Sequence, residues 1–191
     1  MLTVILATHE SERALVQTLA PLVSGATAGL ITEVIVADAG STDATAEVAD
    51  LAGCRFITAD AAVGARLSRA AAEARAPWLL FLRPGTVPEP GWTEAVESFI
   101  GSGRDTAQAA VFRLRADEFA EPGLAAALRA LRAALFGTSP DPAQGLLIAR
   151  RLYDSLGGHA AGDDAEAALL KRLGRRRIAL LAAAARPPQY T

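Results

Sequence analysis

Residues 33–46, EVIVADAGSTDATA, constrain the fold more than any other stretch. β-Branched and apolar residues (Val34, Ile35, Val36) run into an acid, Asp38. A turn of small residues follows, Ala39-Gly40-Ser41-Thr42, and then a segment that reads as a helix. An acid at the carboxyl end of a buried strand, beside a small-residue turn, is the arrangement by which open α/β sheets hold nucleotides. A helix starting after Ser41-Thr42-Asp43 also leaves backbone N–H groups without intrahelical partners, which suits an anion. The stretch therefore predicts a nucleotide-using α/β protein.

The rest of the first half repeats the pattern. Residues 2–7 read as a buried strand, and 10–22 as an amphipathic helix with Ala14, Leu15, Thr18, Leu19 and Leu22 inward. Residues 34–37 and 43–51 form a second strand and helix, 55–58 a third strand, 64–75 a third helix, and 78–82 a fourth strand that is apolar throughout. Strands this apolar cannot belong to a one-sided sheet. They predict an α/β fold whose mostly parallel, Rossmann-like sheet is flanked by helices on both faces. Right-handed crossovers then bring the strand C-termini to one edge. That edge gathers Thr8-His9-Glu10, Asp38 and Arg83-Pro84-Gly85.

The second half is less regular. Pro84, Pro88 and Pro90 make an extended loop into Trp92, with a helix over 93–100 and a strand over 109–114. Residues 121–136 read as a helix with Pro122 in its first turn, and 137–142 as a loop. A strand over 144–149, a short helix over 150–156 ending at Gly157-Gly158, a helix over 163–173 ending at Gly174, and a strand over 178–181 complete the chain.

The 191 residues, 51% of them hydrophobic, suffice for one domain with its own core. A net charge of −2 gives no bulk attraction to nucleic acid, so no nucleic-acid partner is expected. Lys171 is the only lysine beside many arginines, a trend of composition rather than of function. Cys54 is the only cysteine, which excludes an internal disulfide and fits a reducing, cytoplasmic compartment. Met1 leads straight into LTVILAT, so no secretory signal is read. The longest apolar run near the C-terminus, 178–185, falls far short of the roughly 20 residues a membrane span needs.

Six motifs in order along nearly the whole chain resemble family 2 glycosyltransferases of the GT-A fold, and the short length resembles a small bacterial subgroup. Thr8-His9-Glu10 is similar to the opening "P-T-x-N/D-E", and DAGSTDAT to "D-G-G/S-S-T-D-G-T". Gly64-Ala65-Arg66 resembles the start of "G-x-A-R-x-x-N-x-G", and PWLLFLRPGTVPEPGW resembles the segment around "F-L-D-A-D-T". GLLIARRLYDSLGGH and GDDAEAALLKRLGRR resemble the closing "R-R-x-x-f-e-x-l-G-G-F" and "E-D-x-x-L-x-x-R-L" blocks. The resemblance implies a single GT-A-like domain, with residues 1–100 the nucleotide half and 101–191 the acceptor and catalytic half. It implies transfer of a sugar, with inversion, from a nucleotide-diphospho-sugar to an acceptor it does not identify. Many relatives glycosylate lipid carriers, which would place a cytoplasmic protein at the inner face of the membrane.

By the same resemblance Thr8, Glu10 and Asp38 hold the nucleoside, and Arg66 meets the base or the phosphates through its fork of donors. Asp38 also reads as a turn former capping the next helix, and Arg66 as a solvated helix residue. The general base is the acid of the "E-D" pair, here Asp163 or Asp164. It would take the acceptor's proton and face the positive charge of an oxocarbenium-like transition state. The same pair also reads as a helix N-terminal cap. His159, in a loop, reads as structural.

The sharpest departure is the metal motif. The family's D-x-D holds Mg²⁺ or Mn²⁺ against the donor diphosphate, but this chain has Arg83-Pro84-Gly85 there, with neither acid. No metal ligand is assigned. Three explanations compete: Arg83 pairs with the diphosphate in the metal's place, the donor differs, or the chain is a degenerate binding or scaffold relative. A nucleotidyltransferase is a weaker alternative, because such enzymes open with a glycine-rich basic loop and THESER holds no glycine.

Overall fold

The computed structural model describes residues 1–103, 108–115 and 140–188. The helix expected over 121–136, and residues 137–139 of the loop after it, lie outside the described residues.

Strand β1 (Leu2–Thr8) leads into α1 (Glu12–Thr27), and β2 (Ile31–Asp38) into α2 (Thr45–Leu51). Then come β3 (Arg55–Thr58), α3 (Val63–Glu73), β4 (Trp78–Leu82), the two-residue β5 (Val87–Pro88), α4 (Trp92–Gly101) and β6 (Ala109–Leu114). A 3₁₀ turn (Pro142–Gln144) precedes β7 (Leu146–Ala149), α5 (Arg150–Ser155), α6 (Ala165–Leu173), a second 3₁₀ turn (Arg175–Arg177) and β8 (Ile178–Arg186). The eight strands form one sheet in the order β3-β2-β1-β4-β7-β6-β8-β5. Its first four strands are parallel, as expected, and β7 joins β4 antiparallel. The steps from β1 through α1 and α2 to β3 run one way along the sheet, and α3 returns past β1 to β4. Right-handed crossovers therefore set α3 on the face opposite α1 and α2. Ile5, Leu6, Leu79, Leu80, Leu147 and Ile148 are wholly buried, as strands covered on both faces must be.

The bounds of α1, β8 and β7 differ from their sequence reading. Helix α1 continues past Pro21 to Thr27, because Leu22 and Gly25 carry its buried stripe on and Trp92 packs against Gly25. The Trp92 indole N–H also donates to the Pro21 carbonyl at 3.1 Å. Strand β8 extends from Leu181 to Arg186, although alanine is a poor strand former. Pairing to β6 on one side and to β5 on the other overrides that preference. Residue 144 belongs to a 3₁₀ turn rather than to β7: Asp141 and Gln144 cap each other, and Gln144 donates to the Phe112 carbonyl at 2.7 Å. Among the described residues no helix is long and apolar enough to cross a membrane.

Candidate active site

The order of strands reverses around β1, which has β2 on one side and β4 on the other. Ligands of open α/β sheets bind beyond the strand ends at such a point, and a cleft of about 1000 Å³ opens there. Residues 7–14 and Gln17 form one wall, and Leu82 to Gly85 a second. Val63, Arg66 and Leu67 of α3, with Asp163 and Glu166 at the start of α6, supply the rest with Asp43 and Pro188.

Asp38 sits behind this cleft, 1% exposed. One carboxylate oxygen accepts from Thr8 Oγ1 and Ser41 Oγ, both at 2.6 Å, and the other from the Gly40 and Ser41 N–H groups at 2.8 and 2.6 Å. Burial alone would raise this carboxyl, but the bonds from Ser41, Thr8 and Gly40 outweigh it and hold the pKa below the ordinary value. Its contribution to stability is therefore present above the unfolded carboxylate pKa, near 4, and is lost as pH falls through the lower folded value. Asp38→Asn is expected to cost about 1–3 kcal/mol at neutral pH. In denaturant titrations from pH 6 to pH 2, the gap between the two proteins should close at the acid end, and a constant gap would refute this account.

Glu10 ties the β1–α1 loop to the same turn. Its carboxylate accepts from the Thr42 N–H at 2.7 Å, and its own N–H donates to Ser41 Oγ at 2.8 Å. It adopts φ +46°, the described non-glycine residue with a positive φ. Deeper in, Asp43 accepts from the Glu12 N–H at 3.1 Å while Glu12 accepts from the Ala44 N–H at 3.4 Å. Each loop thus caps the helix that follows the other.

Arg66 is 9% exposed, so it is not a solvated helix residue. Its Nη1 donates to the Thr8 and Ala37 carbonyls, both at 2.7 Å, and its Nε to the Ala61 carbonyl at 3.0 Å. It braces the ends of β1 and β2, with Nη2 outside these three bonds. Burial works against its charge, and the Asp38 and Asp163 carboxylates work for it.

The loop before α6 docks on the start of α3: the Gly64 N–H donates to the Gly162 carbonyl at 3.0 Å, and the Val63 N–H reaches Asp163 Oδ1 at 3.4 Å. This docking turns Asp163 into the cleft. Asp164 is the exposed N-cap residue of α6, makes no side-chain cap bond, and does not line the cleft. His159 is buried, with Nδ1 2.9 Å from Tyr153 Oη and its ring edge-on to Phe81. Burial, and secondarily the Arg172 charge, push its pKa down to about 4, so it is neutral near pH 7 and packs as a core group.

At the end of β4, the Thr86 N–H donates to the Arg83 carbonyl at 3.0 Å around Pro84 and Gly85, the latter at φ +87°. Proline in the second place and a positive-φ glycine in the third make a type II turn. The Gly85 N–H is pinned to α1, on the Ala14 carbonyl at 3.0 Å and Thr18 Oγ1 at 2.8 Å. Arg83 donates through Nε and Nη2 to Glu166 Oε2, at 2.9 and 2.7 Å. These residues do not fit a divalent metal. A cation points into the cleft, and an acid side chain at 85 would need a backbone conformation that favours glycine.

The sequence model of glycosyl transferase family 2 matches residues 3–149. The chain belongs to glycosyltransferase family 2. Solved structures of glucosyl-3-phosphoglycerate synthase from Mycobacterium tuberculosis share its GT-A fold. One superposes with a TM-score of 0.70 at 26% identity, covering 100% of this chain and 73% of that one. A complex of the synthase with Mn²⁺, UDP and glucosyl-3-phosphoglycerate gives 0.70 at 24%, with the same coverage. A UDP complex gives 0.66 at 26%, covering 94% and 69%. No match was found among curated proteins.

Within this family 2 fold, Thr8, Glu10, Arg66, Arg83 and Asp163 come together at the cleft, and Asp38 and Asp164 stand outside its lining. Sequence reasoning passed over Glu166, which sits three residues after Asp163, the spacing of neighbours on a helix face. It also passed over Arg13 and Gln17, one and five residues beyond Glu12 on the helix that borders the cleft.

Proposed function

We propose that this family 2 glycosyltransferase moves a sugar from a nucleotide-diphospho-sugar to an acceptor hydroxyl, with inversion and without a divalent metal. The observation that carries this reading is the cleft at the strand ends, where Arg83 faces inward in the place of the family's metal acids. The synthase structures hold UDP with Mn²⁺ or Mg²⁺, which supports a nucleoside diphosphate as the donor's leaving group. Residues 1–100 would hold the donor, with Thr8 and Glu10 beside the nucleoside and Asp38 stiffening the neighbouring turn to which Glu10 is bonded. Residues 101–191 would present the acceptor. Asp163 takes the proton of the acceptor hydroxyl as its oxygen bonds to the anomeric carbon, and the bond from that carbon to the phosphate oxygen breaks. Arg83, with Arg66 Nη2, meets the charge that develops on the leaving diphosphate.

Calorimetric titration with UDP, GDP and their sugars, in Mn²⁺ and then in EDTA, tests this. Binding should survive EDTA and weaken at least tenfold in Arg83→Gln, the loss of a charge-assisted hydrogen bond of about 1.5–3 kcal/mol. Binding that requires Mn²⁺ would overturn the metal-free reading. A second reading, a degenerate binding protein, is favoured by the engagement of Arg83 with Glu166. Turnover abolished by Asp163→Asn would exclude it.

A further inference from the structure

We infer that Glu166 is an internal stand-in for the donor's diphosphate: its carboxylate holds the phosphate-binding edge of Arg83 until a nucleoside diphosphate displaces it. This rests on the donor reading above. The Nε–Nη2 edge of an arginine is the one that forks onto an oxyanion, and in Arg83 both nitrogens go to the single oxygen Glu166 Oε2. Both side chains line the cleft, 34% and 16% exposed, so an incoming anion reaches the pair without opening the core. A phosphate and a carboxylate cannot share one edge, since their like charges repel, and so the bond is exchanged rather than added.

The surroundings decide which partner moves. Arg83 follows directly on β4 and opens a turn pinned to α1 through Gly85, so its backbone is fixed. Glu166 lies in the first turn of α6. Released from Arg83, it keeps the favourable field of that helix N-terminus and is not left as a bare buried charge. The acid therefore swings and the arginine stays. The exchange raises the threshold for anions: a ligand must bring more negative charge to Arg83 than one carboxylate does, which selects a diphosphate over a single weak anion.

The test is a double-mutant cycle in EDTA, titrating wild type, Glu166→Gln, Arg83→Gln and the double variant with UDP and with GDP. Glu166→Gln should bind about three- to tenfold more tightly than wild type, as loss of a partly exposed competing pair implies. The gain should vanish in the Arg83→Gln background. Equal or weaker binding by Glu166→Gln would show that the acid orients Arg83 instead. A gain that persists without Arg83 would reduce the effect to bulk charge. Either result overturns the exchange and leaves the donor reading standing if wild type still binds and Arg83→Gln binds at least tenfold more weakly. No binding by any of the four overturns both. Glu166→Ser, which also removes the charge, serves if the glutamine variant fails to fold.

Discussion

Gly64→Ala is expected to lower stability by about 2–3 kcal/mol, as overpacked sites do, seen as a fall of roughly 5–10 °C in melting temperature. A methyl group at this position would stand 1.9 Å from the Ala160 carbonyl oxygen, 2.4 Å from the Ala165 Cβ and 2.7 Å from the Gly162 carbonyl oxygen. Two of these neighbours are backbone atoms, which no rotamer change can move aside. Alanine in a helix ordinarily gains about 1 kcal/mol over glycine, so the loss is wholly steric and runs against local propensity. To accept the methyl group, the loop before α6 must lift off α3, breaking the Gly64 N–H bond to Gly162 and moving Asp163 with it. Gly162→Ala is the matched control, because nothing lies within 4 Å of its added carbon. Differential scanning calorimetry of the two variants decides the matter. A Gly64→Ala protein that melts within 2 °C of wild type would falsify the docking of this loop.

That contact also marks the boundary of what the sequence discloses. The glycine is visible in the Gly64-Ala65-Arg66 motif, but its reason lies a hundred residues away in chain order. Strands β1, β2 and β4 were legible because a strand buried on both faces must be largely apolar. The converging edge was legible for a topological reason, the handedness of the crossovers. Charged side chains were not legible to the same depth. Arg66 has one identity in the sequence and another in the fold, where it bonds the carbonyls of Thr8 and Ala37, 58 and 29 residues distant. The carboxylate of Asp38 looked like a ligand group, and four donors from its own turn and from Thr8 occupy it. Glu166 was passed over in the sequence, and what sets it apart in the fold is Arg83, 83 residues earlier. Periodicity reports burial, and burial built the sheet; the role of a charge depends on its partners, and long-range closure chooses them.

The two adjacent acids separate on the same grounds. Asp163→Asn should reduce turnover by about 10²–10⁴-fold, the usual worth of a positioned general base, while leaving the affinity for UDP or GDP within about threefold. Asp164→Asn should stay within a factor of about three of wild type in both. The carboxylates differ in where the chain sends them, not in kind: α3 catches the first through the Val63 N–H and turns it into the cleft, and the second faces solvent at the N-cap of α6. The amide of asparagine preserves the Val63 contact, and at 3.4 Å that bond is too long to carry much of the loop's stability. A loss of turnover therefore reports the proton acceptor rather than the cap. The measurements are single-turnover rates with the donor bound, alongside melting temperatures for both variants. If the two substitutions were equally harmful, the catalytic acid would lie elsewhere. Glu166 would then be the next carboxylate to test, since it alone shares the α6 wall of the cleft with Asp163 among the described residues.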